Sequence, residues 1–160
     1  MFACRRHVIE LPVTSESTAT RSSPDRCLMP RHPESLSPTE LVFLTERHLG
    51  TLTTLSASGR PHSVAIAFTY ESGLVRILTN AGSQKVKNVE RSGFASVCQI
   101  DGRRWLSLEG SAAVHSDEIT IGEAVAAYER RYRVPGANPD RVILTISVEH
   151  VLGRADIPSR

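Results

Sequence analysis

Ten residues near the middle of the chain, Thr79–Asn88, could bind an anion. They join the end of an alternating strand pattern to a turn that contains Gly82 and then to a basic helix start. The chain has 19 lysines and arginines, and its two lysines, Lys85 and Lys87, both lie in this stretch. A helix N-terminus presents free N–H groups and the positive end of the helix dipole, which favour phosphate or carboxylate.

This stretch predicts that Lys85 and Ser83 contact an acidic ligand, while Lys87 faces solvent. An ordinary solvated first helical turn is the alternative interpretation of the same residues. A glycine-containing turn alone would not distinguish the two interpretations. The pairing of both lysines at one helix start, in a chain that otherwise uses arginine, suggests that a compact ammonium is wanted there, and on these residues alone both interpretations stay open.

Composition excludes several classes of protein. The net charge of +2 is small and the basic residues are spread along the chain, so nucleic acid is not an expected partner. No run approaches the roughly 18 apolar residues that a membrane span requires, so no membrane partner is expected. Three widely spaced cysteines without a CxxC pair, Cys4, Cys27 and Cys98, favour free thiols in the cytoplasm over disulfides or a metal site.

Two regions differ in composition. Residues 1–35 contain four prolines among Ser, Thr and Arg, and we interpret them as a disordered tail. A start of translation at Met29 is the alternative explanation of this region. Residues 36–160 form one predicted domain, which opens with a capping box at Ser37–Glu40.

The pattern of the domain is mainly β. Helices are predicted from Ser37 to near Gly50, from Ser83 to Ser92 and from Ser116 to about Arg133, and strands at 51–55, 61–70, 74–79, 94–100, 104–115 and 141–151. Asp101-Gly102 predicts a hairpin, and Gly110 predicts a bulge or a close approach of two backbones. Antiparallel strands with helices between them indicate a small barrel.

Several segments resemble a known family. Thr79-Asn80 followed by Gly82-Ser83-Gln84-Lys85 is similar to the phosphate-binding turn of the pyridoxamine 5′-phosphate oxidase-like split-barrel superfamily. Residues 46–49, 91–93 and 104–110 are similar to its actinobacterial F420-dependent branch, including the biliverdin-reductase-like members. The resemblance implies a six-stranded Greek-key split β-barrel with flanking helices, and a homodimer with its cofactor in a groove at the dimer interface.

The same resemblance implies an activity. Gln84 replaces an arginine that the superfamily uses for FMN, and the C-terminal oxidase signature is missing, so coenzyme F420 is favoured over FMN. The implied reaction transfers a hydride from reduced deazaflavin to a conjugated small-molecule acceptor such as biliverdin. The alternatives are an FMN-binding oxidoreductase and a flavin- or tetrapyrrole-binding protein without catalysis.

The resemblance to this superfamily also implies roles for individual residues. The implied cofactor-binding residues are Lys85, Ser83, Gln84, Thr79, His62, Val64, Asn88 and Trp105. The catalytic residue is not assigned; Arg141 is a candidate, because a cation stabilises negative charge that develops on an acceptor. Tyr128 and Tyr132 are alternatives for that role, or core and dimer contacts. Arg60, Arg91 and Arg104 are candidates for the acidic tail of the cofactor, or solvated surface arginines.

Overall fold

Seven strands and three α-helices make up the computed structural model, which describes residues 29–156. The helices are α1 (Pro38–Thr45), α2 (Gln84–Ser92) and α3 (Glu118–Arg131), and a 3-10 turn covers Pro33–Ser35. The strands are β1 (Gly50–Leu55), β2 (Pro61–Ile66), β3 (Thr69–Glu71), β4 (Leu74–Asn80), β5 (Phe94–Asp101), β6 (Arg104–His115) and β7 (Arg141–Arg154). The mainly β prediction is confirmed. No helix within residues 29–156 is long and apolar enough to span a membrane.

One antiparallel sheet contains all the strands, in the order β2-β1-β5-β6-β7-β4-β3. Its two edge strands, β2 and β3, are separated along the chain by Ala67 and Phe68 alone. Because so short a link joins the two edges, the sheet must curl until they meet, and we call residues 66–69 the seam. The apolar side chains of alternate strand positions fill the inside of this curled sheet, where Leu52, Val97 and Leu108 are fully buried.

The predicted strand over 61–70 and the count of six strands are wrong. Up to Ile66 this segment pairs with β1, and from Thr69 it pairs with β4. Apolar alternation continues through Ile66 and Phe68, so the pattern carries no sign of the change of partner. The seam therefore turns one predicted strand into two.

Two local predictions at single residues are confirmed. The register between β6 and β7 shifts at Glu109/Gly110, which marks the bulge. A Cβ atom added to Gly110 would lie 1.9 Å from the carbonyl oxygen of Ser147. The capping box is also present, since Ser37 and Glu40 each bond the other's backbone N–H. Both features depend on residues close in sequence or on a glycine that a neighbouring strand requires.

The predicted tail falls into two parts. Residues 1–28 lie outside the described residues. The following residues contact the domain, because Arg31 forms an antiparallel bridge with Val151 and a 2.6 Å ion pair with the buried Glu40. Glu40 therefore joins the start of α1 to the segment before it.

Candidate functional site

Two adjoining clefts lie beside the seam. The first, of about 360 Å³, is lined among others by Ala67, Thr79, Lys85, Tyr128 and Arg141, and we call it the lysine cleft. The second, of about 310 Å³, is lined by Arg47, His48, Leu49, Ala67, Tyr128, Tyr132 and Arg133, and we call it the arginine cleft. They share Ala67 and Tyr128. Both volumes are typical of small-molecule sites.

The lysine cleft brings together four of the residues that the sequence analysis singled out, Thr79, Lys85, Tyr128 and Arg141. Thr79 is the last residue but one of β4, Lys85 lies in the first turn of α2, and Arg141 begins β7. The register of β4 and β7 aligns Asn80 with Arg141, and so places the end of one strand beside the start of the other. Lys85 and Arg141, which are 56 positions apart in sequence, thereby line one cleft.

Lys85 is a cation without a carboxylate partner. It forms no ion pair among residues 29–156, and no Asp or Glu lines the lysine cleft. Lys87, two residues along the same helix, is exposed and lies outside the cleft. The predicted solvent exposure of Lys87 agrees with this placement, and the predicted ligand contact of Lys85 stays a prediction.

Ser83 is the N-cap residue of α2, but its side chain makes no capping hydrogen bond. Its hydroxyl lies 3.4 Å from the hydroxyl of Thr79 instead. The first-turn N–H groups of α2 are therefore left without a side-chain acceptor from the cap. Such groups, with the helix dipole, bind anions well.

Gln84 and Asn88 bond within the protein. The Gln84 amide donates to Asn88 Oδ1 at 2.9 Å, and Asn88 donates to Thr54 Oγ1 at 2.9 Å. Asn88 is completely buried, so its side chain anchors α2 to β1. Neither side chain lines the lysine cleft. Their predicted contact with a cofactor stays a prediction.

His62, Val64 and Trp105 lie outside both clefts. His62 and Val64 are on β2, and Nδ1 of His62 is buried without a hydrogen-bond partner among the described residues. Trp105 pairs with Arg154 at the far end of β7 from Arg141, about 40 Å of extended strand away. It packs closely on Gly153, whose added Cβ would lie 2.3 Å from the Trp105 carbonyl oxygen. Within one chain, Trp105 therefore does not join the lysine cleft.

The arginines predicted to bind the acidic tail of the cofactor do not line the lysine cleft either. Arg104 donates to Glu46 at 2.8 and 2.9 Å and also bonds Asp101. Hydrogen bonds from Arg104 lower the pKa of Glu46. With His48, these two carboxylates form a group that is close enough to hold a metal ion, but Arg104 already supplies its positive charge.

Arg91 donates to the Leu55 carbonyl, and Arg60 is exposed beside the β1–β2 turn. Neither lines the lysine or the arginine cleft. Their predicted roles in holding an acidic tail stay predictions.

Tyr132 and Arg131 fix the seam. The Tyr132 hydroxyl lies 2.6 Å from the His48 carbonyl and 3.1 Å from the Phe68 carbonyl. Arg131 donates to the carbonyls of Phe68 and Glu46 at 2.6 and 2.8 Å. Burial raises the pKa of Tyr132 and lowers that of Arg131. Tyr132 is thus committed to the scaffold, while Tyr128 faces both clefts.

A larger cleft, of about 660 Å³, lies at the opposite end of β4, beside the Pro33–Ser35 turn. Its lining includes Glu34 and His32 but neither lysine nor arginine. An anionic ligand would find no permanent cation there. The smaller lysine cleft is therefore the better candidate for an acidic cofactor.

Comparison with known proteins assigns the chain to a family. A family model described as pyridoxamine 5′-phosphate oxidase matches residues 37–155. The chain belongs to the pyridoxamine 5′-phosphate oxidase family. This membership confirms the resemblance seen in the motifs, and the split-barrel fold with it.

Individual members of the family are also similar. A Mycobacterium tuberculosis protein named F420H2-dependent biliverdin reductase is 50% identical over 127 residues, which are 78% of this chain and 93% of that protein. A conserved hypothetical protein of known structure from Mycobacterium tuberculosis has a TM-score of 0.67 at 23% identity, over 78% of this chain and 91% of that one. A structure named F420 reductase has a TM-score of 0.59 at 23% identity, over 69% and 93%. The two structures show the same fold.

The lysine cleft fits a cofactor of this family that carries acidic groups. Lys85 and Arg141 supply two cations, α2 supplies free N–H groups, and no carboxylate lines the cleft. Coenzyme F420, with a phosphate and several carboxylates, and FMN, with one phosphate, both meet this requirement. At the position of the superfamily arginine, Gln84 is neutral and bonded to Asn88, which leaves fewer cations for an FMN phosphate.

Sequence reasoning missed part of the cleft. Asn138 and Pro135, in the loop between α3 and β7, complete its lining. Asn138 donates to Asn80 Oδ1 at 2.7 Å, which ties the loop to the end of β4. The sequence signal at this point, Val134-Pro135-Gly136, indicates only that a helix ends. The contact depends on the register of β4 and β7.

Proposed function

We propose that this chain is an F420-dependent reductase that delivers a hydride from reduced deazaflavin to a conjugated acceptor such as biliverdin. The observation that carries the proposal is the lysine cleft, with two cations and no carboxylate in its lining. Its relative at 50% identity is named for this cofactor and acceptor, which supports the same choice.

Lys85 and the first-turn N–H groups of α2 would hold an acidic part of the cofactor. A bound deazaflavin, when reduced, supplies a hydride to the acceptor. Lys85 is half-buried, so its charge is screened less than that of an exposed lysine. Binding at this end of the cleft therefore positions the cofactor through charge-assisted hydrogen bonds.

Arg141 and Tyr128 line the same cleft and can act on the acceptor. Arg141 is anchored through a hydrogen bond to the Gly136 carbonyl, which limits its movement. A fixed guanidinium stabilises negative charge that develops on an acceptor in the transition state. The Tyr128 ring lies between the two clefts, where its hydroxyl can donate a proton or a hydrogen bond.

We propose in addition that the protein is a homodimer in the cytoplasm. Large apolar side chains at one end of the β1–β5 pair favour association, since Leu49 is 62% and Ile100 is 61% exposed. Gly50 pairs with Gln99 in antiparallel register, so the adjacent residues Leu49 and Ile100 lie side by side. The free thiol of Cys98 is in keeping with a reducing compartment. Sedimentation velocity would measure the mass in solution and so distinguish a dimer from a monomer.

The test is a pair of titrations followed by turnover. The purified protein is titrated with F420 and separately with FMN, and oxidation of reduced F420 is then followed by absorbance with and without biliverdin. Tight F420 binding with biliverdin-dependent oxidation is the expected result. Tight binding of FMN instead would move the protein to the FMN oxidoreductases. F420 binding without turnover on biliverdin or other conjugated acceptors would indicate a binding protein.

A further inference from the structure

The arginine cleft adjoins the lysine cleft but has no role in holding the cofactor as described so far. The two meet at Ala67 and Tyr128. A ligand that reacts with the cofactor must reach the lysine cleft, and the arginine cleft adjoins it directly.

Two cations of the arginine cleft lack a counter-ion. Arg47 and Arg133 form no ion pair among residues 29–156. No Asp or Glu lines the cleft. The neighbouring Glu46 bonds both Arg104 and His48 through its carboxylate. Arg47 and Arg133 are both exposed, so their guanidinium groups are accessible to a ligand.

The cleft also has an aromatic wall. The rings of Tyr128 and Tyr132 lie 5.0 Å apart, with an angle of 35° between their planes. Because the Tyr132 hydroxyl is held by the His48 carbonyl at 2.6 Å, this ring is fixed in place. A rigid aromatic surface favours a flat, conjugated ligand. The guanidinium groups favour carboxylates, which they bind in bidentate geometry.

From these features we propose that the arginine cleft binds the acceptor, and that Arg47 and Arg133 select a planar conjugated molecule with two carboxylates. The proposal rests on the proposed function, since it assigns the acceptor side of the same site. The carboxylates of the cofactor tail have the same chemistry as those of an acceptor. The aromatic wall decides in favour of the acceptor, because a flexible tail of amides and carboxylates has no flat surface to place on it.

The test compares biliverdin with its dimethyl ester, which keeps the conjugated system and loses both charges. Each is titrated by calorimetry into the full-length protein saturated with oxidised F420, so that no turnover occurs. The variants are Arg47→Ser/Arg133→Ser and, as a control, Arg130→Ser. Arg130 is exposed on α3 and lines a different cleft.

The wild type and the control should bind biliverdin about tenfold or more tightly than the ester, and the double variant should lose this preference. Affinity for the ester and for F420 should stay within about twofold in all three proteins. A double variant that keeps the preference would overturn the proposal, as would a wild type that binds both bilins equally or neither. Weaker F420 binding with unchanged bilin binding would assign the arginines to the cofactor tail and reject the acceptor.

Turnover separates this proposal from the proposed function. A bilin preference that depends on the arginines, without oxidation of reduced F420 by biliverdin, would support the acceptor site and reject the reductase. Equal turnover of acid and ester by the wild type and the double variant would support the reductase and reject this role of the arginines.

Discussion

Replacement of Lys85 by alanine tests the anion site most directly. Lys85 lines the lysine cleft and has no ion-pair partner within residues 29–156, so its removal should cost binding rather than folding. A hydrogen bond to a charged group contributes about 1.5–3 kcal/mol. Since about 1.4 kcal/mol corresponds to tenfold in affinity, Lys85→Ala should weaken F420 binding about 10- to 100-fold.

The assay is a fluorescence titration of the protein with F420 at two salt concentrations. Lys87→Ala is the matched control, because Lys87 has the same charge on the same helix and faces solvent. Salt should weaken F420 binding by the wild type more than by Lys85→Ala, which has lost a cation. Both variants should melt within a few degrees of the wild type. Equal affinities of the two variants would refute the assignment of Lys85 to the anion site.

Three further predictions concern the scaffold. Glu40→Gln should lower the free energy of unfolding in urea by about 3 kcal/mol, because it leaves the Arg31 guanidinium without its carboxylate. Burial raises the pKa of Glu40, but hydrogen bonds from Arg31 and Ser37 lower it more. The ionised Glu40 therefore stabilises the fold fully above about pH 4.3, and this stabilisation is lost as the pH falls through the folded-state pKa. Glu40→Gln should not show this pH-dependent loss. Tyr132→Phe should cost about 1–2 kcal/mol in the same assay, since the part-buried His48 carbonyl loses its donor. Gly110→Ala should cost about 3 kcal/mol because its Cβ overlaps a neighbouring strand, whereas Gly122→Ala, in open space on α3, should cost nothing.

Local features of the fold were predictable because each depends on residues close in sequence. The capping box at Ser37 and Glu40 is one example. The left-handed Gly93 at the end of α2, with a φ of 63°, is another. Gly102 in the β5–β6 hairpin has a φ of 58°, as a turn of this kind requires. In each case a single residue type satisfies a backbone requirement that its neighbours impose.

The seam and the loop of the lysine cleft were not predictable in the same way. Ile66 and Phe68 continue the alternation of β2, yet the pairing partner changes between them. Asn138 reaches the cleft because β7 pairs with β4 in a particular register. Both features are set by contacts between distant segments, for which periodicity gives no signal. Lys85 was predictable as a candidate because its residue type is rare in this chain and its position at a helix start has chemical meaning.

The seam is where the fold and the candidate site depend on each other. Closing the sheet needs a link between β2 and β3, and this link places Ala67 between the two clefts. Backbone groups at the link have left the sheet ladder, so the Phe68 carbonyl is bonded by Arg131, the last residue of α3, and by Tyr132, which follows it. The same helix carries Tyr128, which forms the opposite side of the junction. The hydrogen bonds that Arg131 and Tyr132 make to the link therefore also fix the position of Tyr128 relative to Ala67, at the junction of the two clefts.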